Sequence, residues 1–151
     1  MFKEFFNTLK IFSDDHQNHY VLGLELFKKK PIIGNGPKGF RSYCRDVEYD
    51  PPVGICTTHP HNYFIQILSE LGLLGIFFYL ISIFFIFVKL INSFIYQRKK
   101  NHSSEFYLIS LGLLILLFPI VPSGNFFNNW ISSINYYYIG FYLYFYNQLY
   151  D

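Results

Sequence analysis

Charge is scarce in this sequence. Only 15% of its 151 residues are Asp, Glu, Lys or Arg, and the formal net charge is +2. No basic patch interleaved with aromatics is present, which excludes a nucleic-acid-binding surface. The histidines lack the i, i+4 spacing of a zinc-binding helix: His16 and His19 lie three apart, and His59 and His61 straddle Pro60. The opening residues, MFKEFFNTLKIFSDD, have no sustained apolar core and no small-residue cleavage site, so no signal peptide is expected there. Internal repeats and low-complexity linkers are missing too.

Apolar and aromatic side chains make up the difference, at 52% hydrophobic and 23% aromatic residues. They are unevenly distributed. Residues 1–62 carry eight Lys/Arg and seven Asp/Glu, against four and three in the longer stretch 63–151. A polar front section, 1–62, is therefore expected to precede a membrane section, 63–151. Three segments suit a bilayer core that takes about 20 helical residues. They run over about 71–95, 106–121 and 130–146, the second being short and the third rich in tyrosine. Gln97-Arg98-Lys99-Lys100 forms a dense basic loop after the first, and such loops stay cytoplasmic. Lys89 can snorkel to the same side. Both polar features, the stretch before Leu71 and the turn Pro122-Ser123-Gly124-Asn125, then meet at the opposite face, and Asp151 lies inside.

The front section reads as a helix from Asp14 to Lys29, with Ser13 as N-cap, Pro31 as its stop and Tyr20, Leu24 and Phe27 as a modest apolar stripe. PIIGNGPKGFRSYC follows, whose Gly34, Gly36, Pro37 and Gly39 mark an irregular loop. Cys44 and Cys56 bracket the next loop. In an oxidising compartment they can form a disulfide worth about 3 kcal/mol in the chain-entropy model. Two free thiols, or half of a metal site with His59 and His61, are the alternatives.

A helix starting near Pro60 would place His61, Ile65, Leu68, Gly72 and Gly75 on one stripe, with the glycines admitting a neighbouring helix. Glu70 would lie opposite, beside Gln66 and Tyr63, hydrated at the membrane interface. Polar groups beside membrane helices are often functional. The plainer reading is that His59 and Asn62 only cap a helix.

His61-Asn62, nine residues, then Gly72-x-x-Gly75 resembles the signature of the O-antigen ligase family of bacterial membrane glycosyltransferases, which also includes polysaccharide polymerases. The stretch from Pro31 to Arg41 is similar to that family's P-x-x-G-x-G-x-x-x-F segment, and Pro122–Trp130 to the turn between its last spans. The resemblance implies an all-α membrane protein: a periplasmic helix-and-loop section, then about three transmembrane helices, in the bacterial inner membrane. It corresponds to the C-terminal part of a family member. The implied reaction moves a glycan from an undecaprenyl-diphosphate carrier to an acceptor hydroxyl, on lipid A–core or another glycan, without metal or other cofactor. The missing N-terminal spans would be a separate chain, or this chain would be a remnant or binding subunit.

Residue by residue, the resemblance makes His61 the base or positioning group for the acceptor. Arg41, with a fork that fits phosphate oxygens, becomes the diphosphate ligand, assisted by Lys38. The alternative for Arg41 is a solvated cation near Asp46 or Glu48. Asn62 and Asn125 are candidate substrate contacts. Where many members carry an arginine before the P-x-x-G stretch, this sequence has Asp14-Asp15-His16-Gln17-Asn18-His19. His16 and His19 are then expected to substitute in part as cations. Lys28-Lys29-Lys30 reads as a solvated helix end or a lipid headgroup contact.

Overall fold

The computed structural model describes residues 13–43, 57–97 and 104–148. Cys44, Cys56, Asp46, Glu48, the basic residues Arg98, Lys99 and Lys100, and Asp151 lie outside the described residues, and so do the expectations placed on them. All secondary structure among the described residues is helical.

Helix α1 covers Asp14–Lys29, the expected span, with Asp14 and Asp15 in its first turn and Lys28 and Lys29 in its last. That charge order complements the helix dipole. Ser13 sits at the N-cap position but its hydroxyl makes no cap bond; it pairs with His16 Nδ1 at 2.7 Å. Pro31 follows directly, lacking an N–H to continue the helix. The short helix α2, Gly39–Tyr43, comes next.

Leu22 and Leu26 of α1 close over Phe40 of α2, all three at most 1% exposed. Full burial of side chains this size stabilises by about 1.5–3 kcal/mol each. Leu24 and Phe27 pack the other way, onto a core of Tyr63, Ile67, Leu68, Ile76 and Tyr79. α1 approaches closely at Gly23, where any Cβ would lie 2.4 Å from Ile65 Cγ2. The polar front section is thus docked on the helix that follows it.

That helix, α3, runs Tyr63–Gln97 but is broken at Gly72, which has φ 65° and ψ −158°. Its stretch Tyr63–Asn92 is long and apolar enough to cross a membrane by length and composition. Beyond the break, Leu73, Leu74, Phe77, Phe78 and Phe84 are exposed. α4 covers Ser104–Leu116 and α5 covers Asn129–Gln148. Ile86, Phe106, Leu113 and Tyr142 form the core joining these three helices. α4 stops short of the expected segment 106–121. Pro119 has no N–H for a helical bond and disfavours helix at Phe118.

Candidate functional site

The site begins with the break in α3. A helix interrupted at Gly72 leaves carbonyls on one side and N–H groups on the other without helical partners. The loop 30–38 supplies both. Asn35 and Gly36 donate their backbone N–H groups to Ser69 O at 3.1 Å and Glu70 O at 2.8 Å. Leu73 and Leu74 donate to Pro31 O at 2.8 Å and Ile32 O at 3.1 Å. The Asn35 side-chain amide adds bonds to Leu26 O at 2.8 Å and Ser69 O at 2.9 Å. A Cβ on Gly34 would fall 2.3 Å from the Glu70 carbonyl, and one on Gly72 2.6 Å from Gly34 N and Ile32 O. The glycine-rich loop and the GLLG stretch are therefore one unit.

This corrects two expectations. Gly72 does not admit a neighbouring helix; it admits the loop's backbone, and its left-handed φ interrupts the stripe that was to carry His61. Gly75 faces Leu71 and Ile67 of its own helix. α3 also begins at Tyr63 rather than near Pro60, because Asn62 is its N-cap: Asn62 Oδ1 accepts the Ile65 N–H at 3.0 Å. His61 precedes the cap with φ 56°.

Glu70 is a third correction. It is fully buried, not hydrated. Its carboxylate accepts the N–H groups of Lys38 at 2.9 Å and Phe40 at 3.1 Å, and the Gln66 amide at 3.3 Å. Burial of a carboxylate demands such partners, and here they come from the turn that carries Lys38 and Arg41. Gln66, also fully buried, donates to Asn125 Oδ1 at 2.9 Å and accepts the Phe126 N–H at 2.9 Å. One face of α3 thus ties the front loop to the turn before α5. Sequence reasoning missed this role, although two polar residues four apart on an apolar helix were a visible signal.

The turn is fastened at a second point. Asn62 Nδ2 donates to Pro119 O at 2.7 Å and to Val121 O at 3.3 Å. Ser123 accepts the Tyr63 N–H on its hydroxyl at 2.7 Å and donates its own N–H to His61 O at 2.9 Å. Asn62 is only 2% exposed, so both of its polar atoms serve the cap and the turn.

Two groups of candidate residues emerge. The first gathers His16 and His19 from α1 with His59 and His61 from the segment before α3. Ring centroids lie 4.1 Å apart for His59–His61, 5.4 Å for His19–His61 and 5.9 Å for His16–His61. His59 Nδ1 is 2.9 Å from Thr58 Oγ1, while its buried Nε2 has no hydrogen-bond partner among the described residues. Burial, then positive charge on His61 and His19, pushes the His59 imidazole down to about 4. Burial, then His16, lowers His61. A proton on one ring raises the cost of a proton on the next, so the neutral forms of His59 and His61 are favoured near pH 7. Among the described residues no group of three His, Cys, Asp or Glu is arranged to hold a metal ion.

The second group lines a polar cavity of about 230 Å³ between the loop and the turn: Lys38 and Arg41 on one side, Asn125, Asn128, Asn129 and Trp130 on the other. Lys38 and His61 are the two residues other than glycine with positive φ among those described, at 64° and 56°. Such conformations cost on the order of 1–3 kcal/mol and persist where surrounding contacts hold them. Here Glu70 holds Lys38 and Ser123 holds His61. Arg41 joins Lys38 and Asn125 at the cavity, whereas His61 joins the other imidazoles.

The family model described as O-antigen ligase matches residues 18–80. That range covers most of α1, the docked loop, Lys38, Arg41, His59, His61 and the break at Gly72; His16 and the turn at Asn125 fall outside it. No curated protein and no solved structure matches the chain.

Proposed function

Since the chain carries an O-antigen ligase family segment over residues 18–80, we propose that it serves transfer of a lipid-linked glycan to an acceptor hydroxyl. The site then lies at the periplasmic face of a bacterial inner membrane. The family match carries this reading, because it spans both the loop docked into the broken helix, which presents Lys38 and Arg41, and the segment before α3 that carries His61. Residues 13–62 lie outside the bilayer. The apolar part of α3 crosses it, α4 and α5 return and cross again, and the C-terminus is cytoplasmic. α4, at 13 residues, spans about 20 Å at 1.5 Å per residue, so the apolar residues 117–121 complete its crossing.

The donor is a glycan on undecaprenyl diphosphate, and the acceptor is lipid A–core. His61, kept neutral by burial and by His16, accepts the proton of the acceptor hydroxyl as its oxygen bonds to the anomeric carbon. The bond from that carbon to the diphosphate oxygen breaks. The departing diphosphate takes the electron pair, and Lys38 and Arg41 offset its charge. Asn62 contributes by fixing the start of α3 behind His61, and Asn125 by forming the far wall of the polar cavity.

The test is transfer in membranes supplied with undecaprenyl-diphosphate-linked glycan and lipid A–core. His61→Ala is expected to lower the rate about 10²–10⁴-fold, the usual share of a general base. Arg41→Ala should weaken donor use. Transfer at the wild-type rate in both variants would overturn the assignment. Glycan appearing on a second lipid-linked glycan, and none on the core, would make the activity polymerisation.

A further inference from the structure

The polar cavity has two unlike walls. Lys38 and Arg41 present only donors. Across from them, Asn125 Oδ1 is taken by the Gln66 amide and the Phe127 N–H, both at 2.9 Å. Asn128 Oδ1 is likewise taken, by the N–H groups of Trp130 at 3.0 Å and Ile131 at 3.3 Å. The carboxamide oxygens therefore face inward, into protein bonds, and the NH₂ groups of Asn125 and Asn128 remain as donors. Among the described residues no carboxylate lines the cavity. A wall with these donors suits a ligand rich in acceptor oxygens. Trp130 adds a different surface. It lines the same cavity and is 83% exposed at the first turn of α5. Its indole offers a flat apolar face beside donors, which fits the C–H face of a pyranose ring whose oxygens point at the amides.

We infer that this second wall seats the carrier-proximal sugar, with Trp130 as its platform and Asn125, Asn128 and Asn129 as readers of its oxygens. The inference rests on the reading that Lys38 and Arg41 take the diphosphate. A sugar joined to that diphosphate lies within one glycosidic bond of it, and this wall is what the two cations face across the cavity. Trp130 is then a specificity-determining residue for the sugar, separate from the group that handles the proton.

Trp130 is the sole tryptophan of the chain, so its fluorescence reports on this one place. The purified chain in detergent is titrated with a short polyprenyl diphosphate bearing N-acetylglucosamine, with the same polyprenyl diphosphate lacking sugar, and with phosphatidylglycerol. The sugar-bearing lipid is expected to change Trp130 emission saturably, and the other two are not. By calorimetry, Trp130→Ala should weaken the sugar-bearing lipid about three- to tenfold, the range of one aromatic contact. It should leave the sugarless diphosphate unchanged, and Trp130→Phe should recover part of the loss. Equal weakening of both lipids, or of neither, overturns the platform role. An equal emission change with phosphatidylglycerol overturns it as well, making the cavity a headgroup site. If both lipids bind through Arg41 and Trp130→Ala weakens neither, the sugar inference fails while the diphosphate reading stands. If neither diphosphate binds and Arg41→Ala changes nothing, both fail.

Discussion

Substituting alanine at Gly34 and at Gly36 separates two costs that a glycine-rich loop combines. Both residues have left-handed φ, 70° and 89°, so either alanine costs about 1–2 kcal/mol of backbone strain. The space around them differs. A Cβ at Gly36 meets nothing within 4 Å, whereas one at Gly34 lies 2.3 Å from the Glu70 carbonyl carbon and oxygen. Those are backbone atoms and cannot swing away, so the loop must withdraw from the break in α3. Withdrawal releases four bonds, those of Asn35, Gly36, Leu73 and Leu74, each worth about 1 kcal/mol net. Gly34→Ala should therefore destabilise the docked loop by roughly 5 kcal/mol, against ~1 kcal/mol for Gly36→Ala.

Hydrogen exchange read by mass spectrometry on the chain in detergent measures this directly, since these four amides open with the loop. At 1.4 kcal/mol per decade, protection of Leu73 and Leu74 should fall several thousandfold in Gly34→Ala and no more than about tenfold in Gly36→Ala. Equal losses in the two variants, or intact protection in Gly34→Ala, would refute the view that the loop fills the helix break.

The histidine cluster makes stability fall with acid. The unfolded imidazole takes its proton near 6.5 and folded His59 only near 4, so the unfolded chain binds more protons in that window and stability drops as pH falls through it. The half-exposed ring reduces the effect to about 1–2 kcal/mol; a thermal midpoint that rises from pH 7.5 to pH 5 would contradict the sign. Glu70→Gln replaces an acceptor oxygen with an amide, leaving the Lys38 or Phe40 N–H unmatched at about 1–3 kcal/mol, measurable by denaturation, with weaker diphosphate binding as the turn loosens. Asn62→Asp keeps the cap on Ile65 but loses the donor to Pro119 and Val121, while Asn62→Ala loses both. Unfolding midpoints should order wild type above Asp above Ala, the cap alone being worth about 1 kcal/mol.

Local signals were readable without a fold. Asp14 and Asp15, Lys28 and Lys29, then Pro31 set both ends of α1, because dipole and ring constraints act within one turn. The unbroken apolar run of α3 was legible for the same reason, and so were the residues of the family resemblance. What a helical wheel could not show is that Gly72 leaves the helix. On a wheel Gly72-x-x-Gly75 reads as a packing stripe, and only the backbone of Pro31 to Gly36, brought in from the far side of α2, turns it into a socket. Glu70 was misplaced for that reason: its partners, Lys38 and Phe40, lie some thirty residues upstream, and a carboxylate with no visible partner reads as solvated. By itself the sequence determined the residue types, the bounds of the first helix and the apolar reach of the third, since neighbours along the chain decide them. The tertiary structure alone decided that four imidazoles share one place and that Lys38 and Arg41 share a cavity with Trp130, because those contacts close loops that no local rule encodes.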